Sequence, residues 1–145
     1  MANVFNTAKY ILEKTGSIST MKLQKLCYYS QAWSLVWDDA ELFPEEFQAW
    51  ANGPVCKELF DFHKGMFSIS VQTIPADMMD GELGGAQEAT IDIVLDHYGN
   101  KDAQWLSTLT HMEDPWKKAR SGVAPGMPCS TVITKESMAE YYGSL

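Results

Sequence analysis

A chain of 145 residues fits one domain, and a domain of that size buries roughly 68–70% of the surface its unfolded form exposes. With 46% hydrophobic and 12% aromatic residues, it is too apolar and too varied for a disordered or low-complexity segment. Its 11 Lys and Arg face 19 Asp and Glu, a formal charge of −8, which disfavours general nucleic-acid binding, because that needs cations to neutralise phosphates.

The charge is unevenly distributed. No Lys or Arg separates Lys25 from Lys57, where Asp38, Asp39, Glu41, Glu45 and Glu46 lie. The same holds between Lys64 and Lys101, where Asp77, Asp80, Glu82, Glu88, Asp92 and Asp96 stand unopposed. Such a surface suits solubility or a basic protein partner. Uncharged runs such as Leu26–Trp37 stop well short of the ~20 residues that span a bilayer. The N-terminus lacks the basic region of a secretory signal, so a cytoplasmic location without membrane is expected. Cys27, Cys56 and Cys129 are widely spaced, include no C-x-x-C and are expected to be reduced.

In chain order, Val4, Phe5, Ala8, Ile11 and Leu12 form one apolar stripe on a first helix ending near Thr15-Gly16. A second helix begins after Ser19 or Thr20, with Leu23, Leu26, Cys27, Ser30 and Trp33 on one face. Tyr28, Ala32 and Leu35 widen that face, which makes this helix central. Phe47, Ala49 and Ala51 alternate with polar neighbours and predict a small hairpin or extended pair. Asn52-Gly53-Pro54 is then expected to switch the chain into a helix carrying Val55, Leu59, Phe62 and Met66.

Residues 68–74 alternate as a strand, and Pro75 to Gly85 reads as loop. Ile91, Val94, Leu95 and Tyr98 mark a helix that stops at Gly99-Asn100, and Asp102 caps the next, with Leu106, Leu109 and Thr110 on its stripe. A short turn follows, capped by Asp114 and started by Pro115, with Lys117, Lys118 and Arg120 near its C-terminal end. A last helix follows Thr134 and ends at Gly143. The fold class is α+β, mainly α: about five to seven helices in a compact bundle with a small β-hairpin or sheet.

The stretch 110–120 looks most like chemistry. His111-Met-Glu113 followed by Pro128-Cys129 suggests the H-x-E…P-C-x-x-C signature of zinc deaminases, yet position 132 is Val, so the third ligand is missing. His63, His97 and His111 have no zinc-site spacing, and the local motifs of hydrolases, P-loop and dinucleotide-binding proteins are absent. No metal, cofactor or catalytic residue is therefore expected, and a metal-dependent hydrolase is the weakest reading. His111 and Glu113 read as polar framework. Trp33, Trp50 and Trp116 with Tyr28 and Tyr29 read as core that can also supply interface anchors.

Three segments taken in order are more specific: MKLQKLCYYSQAW (Met21–Trp33), FQAWANGPV (Phe47–Val55) and THMEDPWKKAR (Thr110–Arg120). Together they resemble the Panacea domain, the family of SocA-like and GepA-like bacterial and phage-encoded proteins, over residues 4–142. The resemblance implies an antitoxin that silences a cognate toxin, usually encoded beside it, by direct binding. The acidity makes that toxin a basic protein. Alternatives are a protease adaptor working with a host protease, or an acidic inhibitor of a DNA-handling protein. The motif residues it singles out are Lys22, Gln24, Tyr28, Gln31 and Trp33 in the first segment, Trp50, Asn52, Gly53 and Pro54 in the second, and His111, Glu113 and Trp116 in the third. They are candidates for framework or toxin interface.

Overall fold

The computed structural model describes all residues from Met1 to Leu145. Its first helix, α1 (Val4–Thr15), starts where the Asn3 and Asn6 side chains cap each other's backbone amides and stops at Gly16, whose φ of 75° only glycine adopts readily. A two-residue strand, β1 (Ile18–Ser19), leads into α2 (Thr20–Trp37), capped by the Ser19 hydroxyl. α2 is buried nearly all round: Leu23, Leu26, Cys27, Tyr28, Tyr29 and Ala32 are inaccessible, and so are the polar Gln24, Lys25, Ser30 and Gln31. The helix is central, as its broad apolar face predicts, with α1, α4 (Gly85–Tyr98), α5 (Ala103–His111) and α7 (Lys135–Gly143) around it.

The β element is larger than expected at one point and smaller at another. Strands β2 (Phe47–Trp50) and β3 (Gly53–Cys56) pair antiparallel, Phe47 opposite Cys56 and Trp50 opposite Gly53. β5 (Val132–Ile133), not anticipated from sequence, adds to the other edge of β2. Asn52-Gly53-Pro54 is therefore the turn of a hairpin, and helix α3 (Lys57–His63) begins only after Cys56. Gly53 supplies a φ of 119°, and Pro54 sits where a strand needs no donor, on the edge away from β2. The expected strand at 68–74 shrinks to β4 (Ser68–Ile69), paired with β1, because Ser70 and Thr73 cap one another and wind Val71–Thr73 into a 3₁₀ turn.

Helices α4, α5 and α7 lie where periodicity and caps predict, with Asp102 and Thr134 accepting N-cap hydrogen bonds. The short α6 (Asp114–Ala119) has Glu113 rather than Asp114 at its N-cap, and the Glu113 side chain turns inward. Arg120 does not join a surface basic cluster; it is 5% exposed and folded under the hairpin. Parts of all three family-motif segments thus meet at the junction of α2, the β2–β3 hairpin and α6.

Candidate functional site

The hairpin is held by side chains that replace neighbouring strands. Its outer edge along β3 is met by two consecutive residues of α2. Gln24 both accepts from the Cys56 amide at 2.8 Å and donates to the Cys56 carbonyl at 3.1 Å, as a strand residue would, and the Lys25 ammonium donates to the Pro54 carbonyl at 3.1 Å. Ser107 of α5 donates to the Asn52 carbonyl, the Trp116 indole to the Trp50 carbonyl at 2.8 Å, and Arg120 to the Ala49 carbonyl at 2.8 Å. Arg120 also ties down the following loop through the carbonyls of Ala124 and Met127. The fit is close: a Cβ on Gly53 would lie 2.6 Å from Lys25 Cε and 3.0 Å from Thr110 Oγ1.

Lys25 is the least expected of these groups. It is wholly buried and takes part in none of the ion pairs, and burial pushes its ammonium down to about 7. His63, which contacts Gln24 at 3.0 Å, and His111 are both held below the usual imidazole range, first by burial and then by Lys25. His111 stacks on Trp116 with centroids 4.0 Å apart, Arg120 lies 5.2 Å from the same ring, and His111 Nε2 is buried without a hydrogen-bond partner.

A second polar cluster lies one turn further along α2, at Tyr28 and Tyr29. The Glu113 carboxylate accepts from the Tyr29 and Tyr142 hydroxyls, each at 2.7 Å, and Tyr142 lies 3.1 Å from the Tyr28 hydroxyl. Burial raises Glu113 above the usual carboxylate range, although the two hydroxyls work against that shift. Tyr98 stacks on Tyr29 at 4.2 Å and accepts from the Trp33 indole.

The remaining motif residues act one by one. Gln31 repeats the Gln24 pattern two turns later, accepting from the Leu42 amide at 2.7 Å and donating to the Phe43 carbonyl at 2.8 Å. Lys22 donates to the Gly99 carbonyl at 2.7 Å, closing the C-terminus of α4. Gln24, Trp50, Asn52, Gly53, Pro54, His111 and Trp116 are therefore gathered at the hairpin, Tyr28, Trp33 and Glu113 in the tyrosine cluster, and Lys22 and Gln31 stand apart. Sequence reasoning missed Lys25, Ser107 and Tyr142, read Tyr29 only as a core aromatic, and placed Arg120 among surface basic residues. Polar residues at inward-facing positions of an otherwise apolar helix were the available signal for Lys25.

Outside this framework, the hairpin borders a groove of about 660 Å³ lined by Met21, Trp50, Val55 and Phe60 and by the loop at Gly126–Ser130. Met21 and Phe60 also line a neighbouring hollow of about 410 Å³ that extends to Met66 and Phe67. On another face, Asp92 accepts from the Tyr10 hydroxyl at 2.8 Å; burial and the nearby Asp92, Glu88 and Glu13 push that phenol up to about 12.

These groups build scaffolding and surface. No three or more His, Cys, Asp or Glu side chains gather in a geometry that could hold a metal ion, and no helix is long and apolar enough to cross a membrane. No curated protein and no solved structure was found to match the chain. A family model, antitoxin SocA-like, Panacea domain, matches residues 23–117, the span from the start of the Gln24–Lys25 clasp to the tryptophan that holds the far side of the hairpin. The chain belongs to the SocA-like antitoxin family with a Panacea domain.

Proposed function

We propose that this protein is the antitoxin of a bacterial or prophage toxin–antitoxin system and silences a toxin encoded beside it by direct protein–protein binding in the cytoplasm. The observation that carries this reading is the match to the antitoxin family over residues 23–117. A rigid framework supports it: binding that requires no reordering of the antitoxin keeps more of the contact energy as affinity. Neutralisation then needs only mass action, since a tight complex draws the toxin into an inactive bound state. Most motif residues act in this as framework; Trp50 also lines the groove beside the hairpin, and the side chains that surround the framework meet the toxin.

The toxin is basic on this reading. Of the 11 Lys and Arg, Lys25 and Arg120 are buried, against Glu113 alone among the acids, so the outer surface is slightly more acidic than the formal charge. Glu13, Glu88 and Asp92 surround Tyr10 and would steer a basic partner.

The test is genetic and then biochemical. Expression of the neighbouring open reading frame alone is expected to arrest growth, co-expression of this chain to restore it, and the two purified proteins to co-elute. Growth arrest that this chain does not relieve would remove the reading. Unchanged toxin levels in the rescued cells separate sequestration from delivery to a protease.

A further inference from the structure

We infer that the toxin is anchored in the two-lobed apolar groove joined at Met21 and Phe60, and that the segment it inserts carries apolar side chains flanked by carboxylates. This rests on the antitoxin reading and gives it a surface. Phe67 is 84% exposed and Met66 40% exposed, yet neither belongs to a loose loop. The Phe67 carbonyl accepts from the Thr20 amide at 2.9 Å, and Thr20 Oγ1 donates to the Met66 carbonyl at 3.2 Å. The N-terminus of the central helix therefore fixes the backbone while the Phe67 ring is held out in water. An exposed aromatic on a fixed backbone is the kind of group that dominates binding energy when a partner covers it.

The occupant follows from charge. Asp and Glu make up 19 of the 145 residues, but neither lobe is lined by a carboxylate; the charged side chains there are Lys57 in one and Lys64 in the other. Lys57 is shared with Asp61 on the next turn of α3 at 3.0 Å, whereas Lys64 has no ion-pair partner. In a protein of net charge −8, this groove is a place where an acidic partner side chain meets attraction. Apolar contact supplies the anchor, and the lysines select the flanking charge. Anchoring and long-range steering thus fall on different parts of the surface, the groove and the Tyr10 acidic face.

The test uses the purified full chain and the product of the neighbouring toxin gene, with association and dissociation rates measured separately. Met66→Ser with Phe67→Ser is expected to weaken binding about 30-fold or more, mainly through faster dissociation. Lys64→Glu is expected to weaken it about fivefold, and Lys14→Glu, the same charge change beside Tyr10, to leave it unweakened. Circular dichroism checks that each variant is folded; Lys64→Glu, an exposed change, decides the matter if the double variant is not. Wild-type affinity in the double variant, or tighter binding by Lys64→Glu than by Lys14→Glu, would overturn the inference while the antitoxin reading stands. So would light scattering that shows the groove to be covered by a second copy of this chain, with toxin affinity unchanged by the serine variants. If the wild-type chain does not bind the toxin at all, the antitoxin reading falls and the inference with it.

Discussion

Lys25 stands without a counter-charge beneath the hairpin, and its only hydrogen-bond acceptor is the Pro54 carbonyl. Its ordinary value of 10.5 falls to about 7 in the folded chain, so between those values the unfolded chain holds more protons than the folded one. Stability from this group therefore rises with pH across that window, by up to roughly 1.4 kcal/mol per pH unit. Lys25→Met should remove the slope. Urea unfolding of both proteins at several pH values from 7 to 10 measures the difference, and parallel curves would show that Lys25 is not the group responsible. Replacement also leaves the Pro54 carbonyl without a donor, at a cost of about 1–3 kcal/mol, so the slope rather than the offset is the readout. Glu113 makes the complementary case. Glu113→Ala strands the buried hydroxyls of Tyr29 and Tyr142 and is expected to cost about 3 kcal/mol, whereas Glu113→Gln retains an acceptor oxygen and costs less. Denaturant midpoints separate the two, and equal losses would argue that packing rather than hydrogen bonding sets the penalty.

Among the elements, the two glutamines of α2 do the work of absent strands. Gln24 clasps Cys56, and Gln31 clasps Leu42 and Phe43. Each clasp is local, so Gln24→Leu is expected to speed hydrogen exchange at the Cys56 amide and leave Leu42 protected, with Gln31→Leu doing the reverse. Acceleration of both amides in either variant would mean general loosening. The same geometry explains what could be read from the sequence. The helices α1, α2, α4, α5 and α7 were legible because caps such as Ser19, Asp102 and Thr134 and stops such as Gly16 act within a few residues. The turn at Gly53-Pro54 was misread as a helix start because Pro54 also suits a first helical turn, and only pairing with β2 and support from α2 make it a strand residue. Residues 68–74 alternate like a strand, but their partner β1 is two residues long, so pairing ends where the Ser70–Thr73 cap begins.

At the scale of the whole molecule, two cations, Lys25 and Arg120, but only one acid, Glu113, are buried, so the exposed charges are slightly more acidic than the composition states. Glu82→Lys with Glu88→Lys is expected to slow association with a basic toxin roughly tenfold at low salt, with dissociation little changed and the effect fading as salt rises. Stopped-flow rates at two ionic strengths test this, and salt-independent rates would exclude steering. The charge asymmetry itself was legible, since whole segments lack Lys and Arg. The groove was not, because Met21, Trp50, Phe60 and Phe67 come from four separate elements and loops and share no spacing. The site residues fell between these limits: the motif segments were visible, while their convergence on the hairpin carbonyls needed the fold.

The Tyr142–Tyr28 contact spans 114 positions and ends on the same carboxylate that Tyr29 reaches across 84. Closing so long a loop is entropically costly and slow, and it cannot happen until the last helix has been synthesised. During translation the central helix is made early but stays without its final cover. Until α7 has been made, the Tyr28 hydroxyl and the Glu113 carboxylate lack their Tyr142 partner.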